Sequence, residues 1–459
     1  MDVNPTRDQV WEESRKRLIP GTVIGSLIEW YDIAVYGQAA ALVFGTLFFP
    51  QFSSTAGQVA AFATFGVGYF ARPLGAVLFG HIGDKYGRRV SLVGTLLLMG
   101  AATVLIGLLP TYASVGLLAP VLLVVLRLLQ GLGVGAEYVG AVTMVAEFAP
   151  TRRRGYYASM PAAGVFLGIG LAAAVSAAVA TLPKDQLMSW GWRVPFLLSV
   201  IVVGVGLVIR LRVPETPVFE DLRKARARTK VPALTMIRVM PKRFVLVMVS
   251  NCVIALNIYV VQTYSLSYLS DKGVAKSTAL VALLFGCAVG AVAIPLVGTF
   301  ADRSGRRPAY LLVTAICAVV PFPFFWLLDT RNTALILIAF GLAFGSCLAV
   351  FGSQAAYYAE LFPSAYRFSG FALSREITGA VLSGPAPVIA VALVALGSGN
   401  AYLLALAMMV VAVASFLAVL ALPETRGIEL TEVTDADPAP RTREEDARGR
   451  IALTDGGIS

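Results

Sequence analysis

Two stretches of the chain, "GHIGDKYGRR" at residues 80–89 and "GTFADRSGRR" at residues 298–307, share a glycine, an aspartate, a second glycine and paired arginines in one register. They are 218 residues apart. Two further pairs follow in the same order: "EFAPTRRRG" from Glu147 with "ELFPSAYRFSG" from Glu360, and "PET" at Pro214 and Pro423. Three signatures repeated in order at nearly constant spacing indicate a duplicated unit that fills most of the chain.

The residues around these signatures are too apolar for a soluble protein. Of the 459 residues, 57% are hydrophobic and only 14% are charged, and the mean hydropathy is +0.77. A soluble domain carries about 25% charged residues. Asp, Glu, Lys and Arg are absent from residues 33–71, 90–126, 155–183 and 377–423. Because one membrane span needs about 20 apolar residues, the sequence predicts an all-α polytopic membrane protein.

Glycine, proline and charge divide the chain into twelve predicted helices, six in each copy of the unit. They are expected near residues 19–46, 56–80, 90–110, 116–147, 156–182, 194–212, 243–269, 277–300, 308–328, 333–358, 370–396 and 400–422. Most of the 37 Lys and Arg lie in the termini and in the loops after the even-numbered helices. The positive-inside rule therefore predicts that both termini are cytoplasmic.

The predicted organisation has five parts: a cytoplasmic arm (1–18), a six-helix half (19–212), a basic cytoplasmic linker (213–242), a second six-helix half (243–422) and a polar, disordered tail (423–459). The net charge of +10 is explained by anionic lipid without a nucleic-acid partner. His81 is interpreted as a surface side chain. The four cysteines fall inside spans as small apolar residues, and no metal or other cofactor is indicated.

The loop motif and the duplication resemble the major facilitator superfamily over essentially the whole membrane region. "GSLIEWYDIAVYG" (25–37), "FARPLGAVLFGHIGDKYGRR" (70–89), "RLLQGLGVGAEYVGA" (127–141), "FAPTRRRGYYASMP" (148–161) and "WGWRVPF" (190–196) resemble its metabolite:proton symporter family. The first half is most similar to the shikimate-transporter group. The resemblance implies two pseudo-symmetric halves, a monomer in the bacterial cell membrane, and a substrate such as shikimate, 2-oxoglutarate, proline or betaine.

Ionisable residues inside the spans are candidates for function, because each costs about 2.5–3.5 kcal/mol on insertion. Glu29, Asp32 and Tyr36 share one stripe of the first helix. A second stripe, on the fourth helix, holds Arg127, Gln130, Glu137 and Tyr138, with Gly131 and Gly135 beside it for close backbone approach.

Proton coupling is assigned to Asp32, with Arg127 as its partner. Burial disfavours the ionised carboxylate and a nearby arginine favours it, so protonation can follow conformation. The resemblance places the first and fourth helices together and maps the acid–arginine pair of related sugar carriers onto these two residues. The alternative is a permanent structural ion pair. Glu29 is either a second coupling residue or an interhelical hydrogen-bond partner.

Substrate binding has a wider set of candidates. Arg127 or Arg72 could bind a carboxylate through the guanidinium fork, although Arg72 could also snorkel and organise the adjacent loop. Arg375 and Glu376 are adjacent on one helix, which favours partners on other helices. The full predicted set is Arg127, Gln130, Glu137, Tyr138, Arg72, Tyr36, Asn257, Gln262, Gln354 and Tyr357.

The repeated loops are interpreted as gates that break and re-form with conformation. Predicted charge pairs are Asp84 with Arg88 and Asp302 with Arg306, while Glu147 with Arg154 and Glu360 with Arg367 are expected to be partners in the same network. Gly80, Gly87 and Gly305 permit the turns, and Arg89 and Arg307 complete the motifs. Lipid anchoring alone would explain the arginines but not the aspartates.

The sequence therefore predicts a proton-coupled symporter that imports a small hydrophilic, carboxylated metabolite by alternating access. The alternatives are an uncoupled facilitator or an exporter of the same fold, a transport-like sensor, or a membrane-embedded enzyme. No Walker-type loop, nucleophile motif or metal cluster is visible, which argues against a pump or an enzyme.

Overall fold

A computed structural model of the chain describes residues 7–86, 88–134, 137–212, 232–364 and 366–430, and these contain helices and no strands. Eleven helices are long and apolar enough to cross a membrane, and a twelfth carries a shorter apolar stretch, Val93–Leu108. The twelve are α1 (Ser14–Phe48), α2 (Ser54–Phe79), α3 (Arg88–Leu108), α4 (Leu118–Phe148), α5 (Thr151–Val179), α6 (Gly191–Val208), α7 (Pro241–Asp271), α8 (Lys276–Ser304), α9 (Arg306–Asp329), α10 (Thr333–Leu361), α11 (Arg367–Leu396) and α12 (Tyr402–Leu420). The predicted all-α, twelve-helix fold is confirmed.

Both predicted terminal segments differ in part from expectation. The first helical run begins at Arg7, so much of the arm extends α1, and Trp11 packs on Tyr157 with ring centroids 4.6 Å apart. Residues 423–430 follow α12 as ordered chain, and the Leu430 side chain is buried. The prediction of a disordered tail is therefore wrong for this stretch, while residues 431–459 lie outside the described part.

The helices form two groups, α1–α6 and α7–α12, which pack against each other. Within the first group α1 lies along α5, and both α2 and α3 pack on α4. Within the second, α12 packs on α7 and α9. Helices α5 and α8 form the main contact between the groups. In the described part of the chain, four helices carry a π-helical turn, at Ala40–Phe44, Val260–Tyr264, Ala343–Cys347 and Gly379–Ser383, a distortion often found near functional sites.

Glycines set the closest helix contacts. A Cβ atom added to Gly131 of α4 would lie 2.1 Å from the carbonyl oxygen of Gly68 on α2, which is far inside van der Waals contact. The close approach predicted for Gly131 is thus present, and Gly135 lies outside the described residues. Between the groups, a Cβ on Gly155 would lie 2.5 Å from the Gly298 carbonyl oxygen.

Gly131→Ala is expected to lower the free energy of unfolding by about 1–3 kcal/mol, because the added methyl group forces α4 away from α2. Gly204→Ala is the matched control, since nothing lies within 4 Å of the added atom. That variant should be neutral or slightly stabilising. Thermal unfolding of the two purified variants tests this, and equal melting temperatures would contradict the contact.

Candidate substrate cavity and gate

A small cavity of about 30 Å³ lies between the two helix groups. Its first-group wall comes from α1 and α2, and its second-group wall comes from α7, α10 and α11. The residues that line it are Trp30, Tyr69, Arg72, Asn251, Ile254, Ala255, Ile258, Tyr259, Phe351, Arg375, Glu376, Gly379 and Ser383. A pocket built from both groups changes shape whenever the groups move relative to each other.

Aromatic side chains join the two groups across this cavity. Trp30 of α1 stacks on Tyr259 of α7, with ring centroids 6.4 Å apart and planes at 15°. Phe351 of α10 meets Trp30 edge-on at 6.5 Å. The Tyr69 hydroxyl of α2 donates a hydrogen bond to the Tyr259 hydroxyl. These contacts give the cavity flat apolar faces together with a few polar atoms, as small-molecule sites have.

Three charged side chains face this space. The Arg72 guanidinium lies over the Tyr69 ring at 3.8 Å, and it has no carboxylate within ion-pair distance among the described residues. Arg375 lies over the Tyr138 ring at 4.4 Å and its Nη1 is 3.6 Å from Glu376 Oε1. Arg375 thus has a partner on another helix, as expected, but it also meets Glu376, which was not expected of neighbours in sequence.

Arg127 lies outside the cavity lining. Its guanidinium lies 4.2 Å from the Tyr36 ring and 4.7 Å from the Phe65 ring, and its Nε donates to the Phe65 carbonyl oxygen at 3.3 Å. Its Nη1 donates to Gln130, whose amide nitrogen donates to the Thr103 hydroxyl at 2.8 Å. The close contact of α4 with α2 encloses Arg127 between aromatic rings, away from the cavity.

Asp32 is fully buried beside α6. Its Oδ1 accepts a hydrogen bond from the Ser199 hydroxyl at 2.6 Å, and its Oδ2 has no hydrogen-bond partner among the described residues. The expected contact with Arg127 is absent from this conformation. The helical stripe does bring Asp32 to the inner face of α1, but Ser199 of α6 occupies the position in which an arginine was expected. Asp32 thus combines complete burial with an unsatisfied carboxyl oxygen.

The other predicted site residues lie outside the cavity lining. Glu29 lies within electrostatic range of Arg72 and Glu376, and the Tyr36 hydroxyl bonds to Thr64. Glu137 approaches Gly25 of α1. Gln354 donates to Asn251 at 2.7 Å, and Asn257 donates to the Val253 carbonyl oxygen. The Tyr357 hydroxyl donates to the Pro423 carbonyl oxygen. The buried amide of Gln262 has no hydrogen-bond partner among the described residues.

Several lining residues were missed at the sequence level, although a signal existed for some of them. Trp30 sits between Glu29 and Asp32 in the motif at residues 25–37, and Tyr69 precedes Arg72 by three residues, on the same face of α2. Tyr259 and Phe351 carry no such signal, because aromatic residues are common throughout the apolar spans.

The two helix groups are joined at the end of the bundle where α5 begins and α8 ends, called here the terminal face. Glu360 of α10 accepts from Arg154 Nη1 at 3.0 Å and from Arg306 Nε at 3.1 Å. Arg367 Nη1 pairs with Glu147 Oε1 at 2.8 Å. Each arginine therefore crosses to the acid of the other repeat, an exchange relative to the pairs that lie closest in sequence.

The exchange preserves the internal symmetry of the two units. Arg154 Nε donates to the Ala146 carbonyl oxygen at 3.0 Å, and Arg367 Nε donates to the Ala359 carbonyl oxygen at 2.8 Å. In both units the guanidinium is anchored on the preceding helix of its own group and reaches its acid in the other group. Opening this face must therefore break both ion pairs.

Asp302 supplies a further link. It pairs with Arg306 at 2.7 Å, as predicted, and its carboxylate also accepts the backbone N–H groups of Gly155 at 2.8 Å and Tyr156 at 2.9 Å across the interface. In the corresponding motif of the first unit Gly80 is helical, while the side chains of Asp84, Arg88 and Arg89 and the whole of Gly87 lie outside the described residues.

The second "PET" sequence belongs to this network as well. Glu424 accepts the backbone N–H groups of Arg306 at 2.8 Å and Arg307 at 3.0 Å, at the start of α9. Thr425 donates to Glu360 at 2.7 Å, and the Ile428 carbonyl oxygen accepts from Arg154 at 2.7 Å.

At the opposite end of the bundle, Lys276 donates to the Leu42 carbonyl oxygen at 2.7 Å and Ser267 to that of Ala41 at 3.2 Å. Contacts between the groups thus exist on both sides of the cavity.

Two pseudo-symmetric groups of six helices around a central cavity define a membrane transporter. The profile of the Major Facilitator Superfamily matches residues 22–387, and the chain belongs to that superfamily. The chain is 36% identical over 391 residues to the shikimate transporter of Escherichia coli K12, covering 84% of this chain and 89% of that protein. It is 36% identical over 408 residues to the inner membrane metabolite transport protein YhjE of the same organism, covering 86% and 92%.

Two more distant comparisons agree. The proline/betaine transporter of Escherichia coli K12 is 33% identical over 433 residues, covering 92% of this chain and 86% of that protein. The solved structure of the proton:xylose symporter XylE bound to 6-bromo-6-deoxy-D-glucose superposes with a TM-score of 0.71 at 18% identity, covering 91% and 98%. At that identity the superposition shows the fold alone. The resemblance to metabolite transporters is confirmed, and the protein is a multi-pass membrane transporter rather than an enzyme.

Proposed function

We propose that this transporter is a proton-coupled symporter that imports a small hydrophilic carboxylate. One observation carries the proposal: the guanidinium of Arg72 faces the cavity between the helix groups and makes no direct ion pair among the described residues, while Glu29 and Glu376 act on it only from a longer range. A buried cation is costly without a direct counter-ion, so an anionic ligand bound to it would complete the site. The relatives include a shikimate transporter, whose named substrate has this chemistry.

The cavity supports this substrate class in two further ways. A planar guanidinium binds a carboxylate through two parallel hydrogen bonds, which fixes orientation as well as charge. The stacked rings of Trp30 and Tyr259 offer a flat apolar surface beside it, with Asn251 and Ser383 as hydrogen-bonding groups. A compact molecule with one carboxylate and several hydroxyl groups matches this lining.

Asp32 is the proposed coupling residue. A carboxylate that is fully buried and has one oxygen without a donor is poorly stabilised in its charged form, so proton binding there depends on what conformation brings near it. Arg127 would influence proton binding at Asp32 indirectly, through the aromatic side chains packed around Tyr36. Glu29 remains the second candidate for the coupling proton. The competing interpretation is a permanent hydrogen bond between Ser199 and Asp32.

Alternating access would proceed by rocking the two helix groups around the cavity. Opening the terminal face would break the exchanged pairs of Arg154 and Arg367, and opening the other end would break the contacts of Lys276 and Ser267. The distribution of Lys and Arg supports a cytoplasmic terminal face in a bacterial cell membrane. A monomer is proposed as the functional unit, because one chain contains both groups and the whole cavity.

Uptake into proteoliposomes tests the proposal. With an inward proton gradient, the wild type is expected to accumulate labelled carboxylate above the equilibrium level, and a protonophore should abolish the accumulation. Asp32→Asn is expected to lose accumulation at least tenfold, while exchange of labelled for unlabelled substrate continues without net proton movement. Asp185→Asn removes an exposed acid outside the long helices and should behave as the wild type.

The outcomes separate the alternatives. A facilitator would equilibrate substrate without concentrating it, and Asp32→Asn would then change little. An exporter would concentrate substrate only when the gradient is reversed relative to the protein. A sensor would bind the carboxylate and transport none. Full accumulation by Asp32→Asn would contradict the role of Asp32.

A further inference from the structure

We propose that Glu376 is a second proton-binding residue, and that it takes up a proton when a substrate carboxylate binds Arg72. This inference rests on the proposed carboxylate site. Glu376 is 3% exposed and lies on α11 in the wall of the cavity, while Arg72 enters the same cavity from α2. The two residues therefore belong to different helix groups.

The ionised form of Glu376 is held loosely. Its contact with Arg375 is 3.6 Å, and among the described residues no donor lies within hydrogen-bonding distance of its carboxylate. The groups that face it are Arg72 and Tyr69 from α2, Glu29 from α1, Tyr259 from α7, and Arg375 from its own helix. Two arginines stabilise the Glu376 anion at a distance, and Glu29 opposes it.

A carboxylate bound to Arg72 would upset this balance. It would engage the guanidinium that helps to neutralise Glu376, and it would add a further negative charge to the same small cavity. Two carboxylates that share such a site are not readily both ionised. The guanidinium fork of Arg72 holds the substrate carboxylate in place. The repulsion between this carboxylate and Glu376 is therefore removed when Glu376 binds a proton.

The position of the pair links this proton to conformation. Helices α2 and α11 touch backbone to backbone, since a Cβ on Gly66 would lie 3.0 Å from the Gly384 carbonyl oxygen. Rocking of the two groups changes the separation across this contact and hence the distance between Arg72 and Glu376. The proton would enter from water on the side where substrate binds and leave to water on the side where substrate dissociates.

Proton uptake on ligand binding tests the inference in detergent solution, without any transport step. The probe is whichever of shikimate, 2-oxoglutarate and benzoate raises the melting temperature most, because a bound ligand stabilises the native state. In weakly buffered solution with a pH-indicator dye, the wild type is expected to take up one more proton per bound ligand than Glu376→Gln. In Glu376→Gln the slope of log Kd against pH should be smaller than in the wild type by about one. A slope of one corresponds to a tenfold change in Kd per pH unit.

Two further variants keep the test decisive. Glu376→Asp retains a carboxyl group and should retain proton uptake, and Asp185→Asn, which removes an exposed acid far from the cavity lining, should also retain it. If the probe binds Glu376→Gln with the same proton uptake and the same slope as the wild type, the inference is overturned and the transport proposal stands. If uptake tracks Glu376 but proteoliposomes show no gradient-driven accumulation, the transport proposal fails and the inference stands. No binding by any of the three probes would overturn both.

Discussion

Arg72→Gln is expected to weaken carboxylate binding by at least 100-fold. The guanidinium is the one cavity cation without a carboxylate in ion-pair distance among the described residues, so the substrate would be its first direct anionic partner. Removing one partner of a buried charged hydrogen bond costs about 2–5 kcal/mol. Arg72→Lys keeps the charge but loses the two-pronged geometry, and it should recover only part of the affinity. Equilibrium binding to purified protein measures both effects.

Arg127→Gln is the matched control, because it removes the same functional group from a buried position outside the cavity lining. Its guanidinium is held by Tyr36, Phe65 and Gln130. We expect this variant to lose stability and coupling while its affinity for the carboxylate changes less than about tenfold. Normal binding by Arg72→Gln together with loss of binding by Arg127→Gln would contradict the assignment of the substrate site.

Glu360→Gln is expected to open the terminal face. The buried carboxylate accepts hydrogen bonds from Arg154, Arg306 and Thr425 at 2.7–3.3 Å. A glutamine has no charge and only one acceptor oxygen, so Arg154 and Arg306 would both lose the Glu360 carboxylate, and Arg306 would keep only Asp302 among the described residues. Breaking a buried ion pair in this way costs about 3–5 kcal/mol, and separation of the helix groups would expose the arginines to water.

Glu147→Gln is the control in the same repeat position, since Glu147 pairs with Arg367 as Glu360 pairs with Arg154. Its side chain is 37% exposed, whereas that of Glu360 is fully buried. The loss should therefore be about 1 kcal/mol or less. In protein whose native cysteines are replaced by alanine, alkylation of Ser159→Cys reports opening, because Ser159 is buried beside Gly298. We expect Glu360→Gln to react at least tenfold faster than Glu147→Gln, and equal rates would contradict the gate.

Much of the fold was predictable because a membrane restricts what a sequence can form. Runs of about 20 apolar residues bounded by charge and glycine give the helices, and repeated signatures give the two groups. The residue types of the gate were also visible. Their pairing was not, because Arg154 lies near Glu147 in sequence and opposite Glu360 in space. Because both units carry the same acid and arginine, each arginine has two possible acidic partners. Only the packing of the helix groups selects one of them.

The cavity was predictable only in outline. Periodicity places Arg127 and Asp32 on inward faces of their helices, but a stripe does not specify which neighbouring helix a side chain meets. The contact of Gly131 with Gly68 draws α4 onto α2 and encloses Arg127, and Ser199 meets Asp32 from α6. Arg72, which could equally have served the adjacent loop, lines the cavity instead. These outcomes depend on rotations and close contacts between helices that are distant in sequence.

The measurement that tests the central claim most directly is proton entry driven by substrate alone. Proteoliposomes containing the protein and an internal pH-sensitive dye are prepared without any ion gradient, and shikimate, or the carboxylate that binds best, is added outside. A symporter carries protons inward with the substrate, so the account predicts internal acidification that a protonophore dissipates and that Asp32→Asn lacks. Entry of labelled carboxylate at the wild-type rate with no acidification would contradict proton-coupled transport.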